Sequence, residues 1–171
     1  MDDRNLVRTL GAAAIIGGAL RIASAFVSWS PGVWSLELFY FAIDVMLMFG
    51  LMGVYLAYRA RIGLFGFIAF AIAEAGIASI VGPDTVAFGI DMYMAGVLVI
   101  TVGLTLFAIQ LLLTRAGPPW APLCWIASTI IGVGATAGGA PALGFLAGGV
   151  LFGLGFTVAG VAMFRTATPS N

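Results

Sequence analysis

Four ionisable residues stand inside otherwise apolar stretches of the chain: Arg21, Asp44, Glu74 and Asp91. Two of them repeat a local pattern. "YFAIDVML" at 40–47 and "AFGIDMYM" at 87–94 both set an aspartate behind Phe, a small residue and Ile. An ionised side chain facing lipid near the bilayer centre costs on the order of 2.5–3.5 kcal/mol, so these residues are expected to face one another or a wet cavity. Three acids against one base leave two carboxylates that must be protonated, hydrated or matched by a bound cation. The expected chemistry is binding of a proton or a cationic solute. Tyr40 and Tyr93 stand close enough in sequence to add hydroxyls, and Glu37 shares a helix face with Asp44, above it at the mouth.

Other chemistries lack their residues. The chain has no histidine, and all seven basic residues are arginines. Histidine-ligated haem, zinc or copper and lysine Schiff bases are therefore excluded. A single cysteine, Cys124, excludes internal disulfides and cysteine metal clusters. Methionines 46, 48, 52, 92 and 94 cluster around the two aspartates and read as adaptable packing. No cofactor is expected. Two intramembrane aspartates invite comparison with intramembrane aspartyl proteases, but those carry Tyr-Asp and Gly-x-Gly-Asp. This chain has Ile-Asp twice, and the balance leans away from an enzyme.

The elements that must position these groups follow from composition. Of 171 residues, 62% are apolar and only 8% charged, against roughly a quarter charged in soluble proteins. Zero net charge gives no reason to expect a nucleic-acid partner. Runs long enough to span a bilayer, about 20 residues, fall at 7–29, 34–58, 62–82, 86–114, 119–139 and 142–164. The expected fold is an all-α, polytopic six-helix transmembrane bundle forming one integral membrane domain over 1–171. The breaks carry turn chemistry: "SWSPGVW", "YRARIG", "VGPDT", "RAGPPWAP" and "GGAP". Within this frame Arg21, Asp44, Glu74 and Asp91 fall roughly 12, 15, 13 and 10 Å below the outer ends of their helices. One thin slab would hold all four.

Arg4, Arg8, Arg59, Arg61, Arg115 and Arg165 all fall at the termini or in the second and fourth loops. The positive-inside rule then puts both termini in the cytoplasm of a multi-pass cell membrane protein, in the plasma or inner membrane if the source is bacterial or archaeal. The start "MDDRNLVRTLGAAAIIGGALRIASAF" mimics a signal peptide, but Arg21 interrupts its apolar run and Asp2 and Asp3 do not suit such a leader. It is expected to remain as the first span.

The Ile-Asp match, with "RIAS" at 21–24 and "GIAS" at 76–79, suggests a hairpin repeat, 7–58 against 62–114. On the first helix Ala14, Gly17, Gly18, Arg21, Ser24, Ala25 and Ser28 make one small, polar face that lets a neighbour approach closely. The last two spans are uncharged and glycine-rich, with small-xxx-small pairs at Gly134/Gly138, Gly144/Gly148 and Gly149/Gly153. These serve packing within the bundle, or a homo-oligomer or partner-subunit contact through helices 5 and 6. Two functional readings follow. The acid excess favours a proton- or cationic-solute-binding transporter or transporter component, with Arg21, Asp44, Glu74, Asp91, Glu37, Tyr40 and Tyr93 as its site. The alternative is a non-catalytic accessory or assembly subunit whose buried charges hold the bundle together.

Overall fold

The runs at 34–58 and 62–82, expected as separate spans, are one helical element. In a computed structural model, which describes residues 3–28, 30, 32–82, 86–87 and 89–166, the order is α1 (Asp3–Ser24), α2 (Trp34–Ile80), β1 (Val86–Ala87), β2 (Ile90–Asp91), α3 (Met92–Leu113), α4 (Trp120–Ala137) and α5 (Pro141–Thr166). All five helices are long and apolar enough to cross a membrane. The expectation of six helices is therefore corrected to five. No loop separates the two halves of α2, because only Gly63 leaves helical backbone, at φ 61 and ψ −165. A straight helix of 47 residues would be about 70 Å long. Instead the element folds back at Gly63, and Tyr55 of the first arm stacks on Phe70 of the second with ring centroids 4.4 Å apart. That combination of φ and ψ is open essentially to glycine alone, so the basic turn "YRARIG" closes on one residue. Gln110 Nε2 of α3 donates to the Ile62 carbonyl oxygen beside the bend (2.9 Å).

Small residues set most of the helix contacts. Gly17 of α1 lies against Met46, Ala14 against Gly50 and Leu10 against Gly53, so α1 runs antiparallel to the first arm. The second arm meets α3 in the same way, Ala73 against Gly103 and Gly76 against Ile100. Gly11 and Gly18 of α1 face the backbone of Gly160 and Gly153 of α5, while Gly144 and Gly148 of α5 approach Gly132 and the Ser128 carbonyl of α4. The glycines of α5 are thus spent on contacts inside the bundle, and nothing in their placement makes an oligomerisation motif. The face expected on α1 holds for Ala14, Gly17, Gly18 and Ser24, all buried. Between the helices Phe107, Trp125, Phe156 and Met163 fill the core.

The pairings collect the arginines. Arg8 lies over the Phe164 ring (5.6 Å to its centroid), one residue before Arg165. Gly117, two residues past Arg115, lies against Tyr58, the neighbour of Arg59. Arg4, Arg8, Arg59, Arg61, Arg115 and Arg165 share one end of a multi-pass bundle, and only Arg21 stands toward the other. At that other end the chain between the second arm and α3 forms a short hairpin, Val86 paired with Asp91 and Ala87 with Ile90. Asp2, Trp29, Pro31, Phe88 and the Pro83–Asp84–Thr85 turn of "VGPDT" lie outside the described residues.

Candidate functional site

The expected slab of charge is not formed. α1 stops at Ser24, five residues short of the expected end, and Arg21 sits in its last turn. There Arg21 Nη1 donates to Ser24 Oγ (2.9 Å), and the Ser24 hydroxyl donates to the Arg21 carbonyl oxygen (2.8 Å). The other guanidinium nitrogen faces Gly149 of α5, where a Cβ would come within 3.3 Å of Nη2. A cation at a helix C-terminus is favoured by the helix dipole, so Arg21 is held by its own helix end and by the absence of a side chain on α5.

The acids part company along the bundle axis. The α1 contacts extrapolate Arg21 to the level of Ile43 and Asp44; Asp44 is half-buried and has an interaction of its own. The stacking of Tyr55 on Phe70 carries Glu74 to a position across from Leu51, about two helical turns deeper than Asp44. Asp91 goes the opposite way. Gly96 packs against Ile80, the last residue of the second arm, so Asp91 stands beyond that arm's end. The helix expected from 86 begins at Met92, and exposed Asp91 is its N-cap, Oδ1 accepting from the Met94 amide (3.0 Å). Among the described residues no group of three or more carboxylates comes together closely enough to hold a metal ion.

The remaining expected residues line no common pocket. Glu37 is exposed in the first turn of α2. Tyr93 is exposed at the start of α3, and it too has an interaction of its own. The Tyr40 hydroxyl donates to the carbonyl oxygens of Ser24 and Val27 (3.5 and 3.4 Å), tying the frayed end of α1 to α2. The reading of a proton- or cation-binding transporter built on a buried acidic cluster is therefore overturned, and so is its alternative, in which the same charges brace one another.

What remains is one carboxyl. Glu74 is half-buried, and both its oxygens are sealed from solvent with no hydrogen-bond partner. Several other interior polar groups close their own bonds. Thr105 and Thr129 hydroxyls join α3 to α4 (2.9 Å), and Ser128 donates to the Gly148 carbonyl oxygen (2.7 Å). Two further polar atoms without partners, Tyr58 Oη and Trp125 Nε1, lie toward the arginine-bearing end. Neither residue belonged to the expected set. Tyr58 reads in sequence as an interfacial residue of the "YRAR" turn, and Trp125 as one more apolar residue after the proline-rich one. No protein-family model, curated protein or solved structure matches the chain.

Proposed function

We propose that the protein associates laterally with another membrane protein, and that Glu74 is the group through which it does so. The observation that carries this is the isolation of the carboxyl, with two oxygens inside an apolar span and no partner among the described residues. Polar side chains within a bilayer bond across helices because lipid offers no alternative, and an intramembrane acid marks a functional position by default. The carboxyl is sealed in the free chain, so pairing with a partner turns the half-buried side chain outward, past the exposed Ala75 and Ala78. A small-residue strip beside the acid gives a second helix room to approach. The complementary group is a donor, a basic or amide side chain on a partner helix.

We place the arginine-bearing end in the cytoplasm by the positive-inside rule, the membrane being the plasma or inner membrane if the source is bacterial or archaeal. A cysteine at Ala60 is then labelled by an impermeant reagent only after the membrane is opened.

Photo-crosslinkers at Ala75 and Ala78 in native membranes test the association. One adduct of fixed mass is expected, lost in Glu74→Leu and partly retained in Glu74→Gln, which keeps hydrogen bonding. Identical adducts in the wild type and Glu74→Leu, or none in either, would remove Glu74 from any such role.

A further inference from the structure

The arginine-bearing end contains a cavity of about 20 Å³ between the first arm of α2, the α3–α4 turn, α4 and α5. Tyr58, Gly117, Pro118, Pro122, Trp125 and Val158 are among its lining. That volume admits about one water-sized group. Two of the lining residues carry the polar atoms described above, Tyr58 Oη and Trp125 Nε1, each sealed from solvent and without a partner. An indole N–H can only donate, and a buried donor left unpaired is unfavourable. The indole edge lies against Gly155 of α5, whereas the Tyr58 hydroxyl can donate to an oxygen placed in the cavity.

Three guanidinium groups belong to the segments that meet here. Arg59 follows Tyr58, and Arg61 stands three residues on, the spacing of neighbours on one helix face. Arg115 begins the turn whose Gly117 lies so close to Tyr58 that a Cβ there would come within 2.7 Å of its hydroxyl oxygen. All three arginines are exposed. Arg115 is also the one described non-glycine residue with positive φ, at 48°. It occupies the left-handed C′ position that ends α3, its amide donating to the Leu112 carbonyl oxygen (3.1 Å) and the Ala116 amide to that of Leu111 (3.0 Å). Glycine is the unstrained residue at such a position, yet the chain carries a guanidinium there. Trp120, 67% exposed, opens α4 just past the same turn and suits the headgroup level of a bilayer.

We propose that this end binds the headgroup of an anionic phospholipid, the three arginines surrounding its phosphodiester and one headgroup oxygen entering the cavity to accept from Tyr58. Arginine matches phosphate oxygens in geometry as well as charge, and basic pockets between transmembrane helices on the cytoplasmic side suit such headgroups. The cavity is too small for a whole phosphate ion. The charged body of the ligand must stay at the surface, at the depth where lipid phosphates lie. The site stands apart from Glu74 and does not depend on its role.

The test is the thermal shift of the purified protein in a neutral detergent, titrated separately with phosphatidylglycerol, phosphatidylcholine and inorganic phosphate. Phosphatidylglycerol should raise the melting temperature with a saturable dependence, and the other two should not. Arg59→Gln, Arg61→Gln and Arg115→Gly should each weaken binding about five-fold, as expected for one basic residue near an anionic surface. Tyr58→Phe, which removes only the hydroxyl, should weaken it as well. Equal shifts with phosphatidylcholine, or a shift reproduced by inorganic phosphate, would refute recognition of an anionic lipid. Full retention of the phosphatidylglycerol shift in the triple arginine variant or in Tyr58→Phe would refute the assigned site.

Discussion

Tyr55 and Phe70 stack with their rings 15° from parallel although both belong to one helical element. Only the backbone of Gly63 makes this contact reachable. A Cβ at that position meets nothing within 4 Å, so the penalty for Gly63→Ala is conformational and not steric. At φ 61 and ψ −165 it should amount to about 1–3 kcal/mol. Chemical denaturation in detergent should register that loss. An unchanged midpoint would mean the bend tolerates side chains and is set by packing alone.

The glycines of α1 and α5 should behave differently from those at the outer end of α4. A Cβ on Gly18 would run into the Gly153 carbonyl oxygen and Thr157, whereas Gly134 has open space around it. Gly18→Ala is expected to lose about 1–3 kcal/mol, the usual penalty for overpacking. Gly134→Ala should gain up to about 1 kcal/mol from helix propensity. Melting curves of the two variants against the wild type decide the matter, and equal effects would show that α1 and α5 are not in van der Waals contact through their backbones.

Asp91 stands at the head of α3 as a cap, so its substitutions should follow capping rules. Asp91→Ala should cost about 1 kcal/mol and Asp91→Asn almost nothing, since both Asp and Asn accept from the Met94 amide. Thermal melts of both variants give the comparison. A large loss in Asp91→Asn would mean that the negative charge itself has an interior partner.

The membrane class, the single basic end and the close-packed face of α1 were legible in the sequence because they depend on composition and on helical spacing. The arginines that collect at one end do so through hydropathy and charge, which need no knowledge of register. The slab of charge depended on register, and there the reading failed. Depth was counted from the ends of apolar runs, but helices end where capping chemistry permits. Asp91 ends its helix instead of lying inside it, and α1 unwinds after Ser24 while the apolar run continues. Glu74 went astray for a second reason. With only Gly63 at the bend, the first arm runs on past its expected end at 58 and the second starts only after Gly63, so Glu74 lies nearer the bend than Asp44 does. The repeated Ile-Asp thus marks two different places, one inside a span and one above it. Tyr58 and Trp125 were invisible as polar residues because their rings fit the apolar pattern that surrounds them.

Arg115 separates fold from function in one substitution. Its left-handed backbone carries a penalty of about 1–2 kcal/mol for an L-residue, which glycine would relieve. Glycine also gives the unfolded chain more freedom, which offsets about 0.5–1 kcal/mol of that gain. Arg115→Gly should therefore unfold at the same denaturant concentration as the wild type or slightly above it, with a net gain near 0.5 kcal/mol. Arg115→Ala removes the guanidinium but keeps the strain, so it should show no such gain. If the arginine were present only to end α3, the glycine variant would be the better protein in every respect. If it serves the phospholipid site, glycine should improve the lipid-free protein and weaken its stabilisation by phosphatidylglycerol, moving the two readouts in opposite directions. A glycine variant that melts lower than the wild type without lipid would instead show that the Arg115 side chain holds the turn itself.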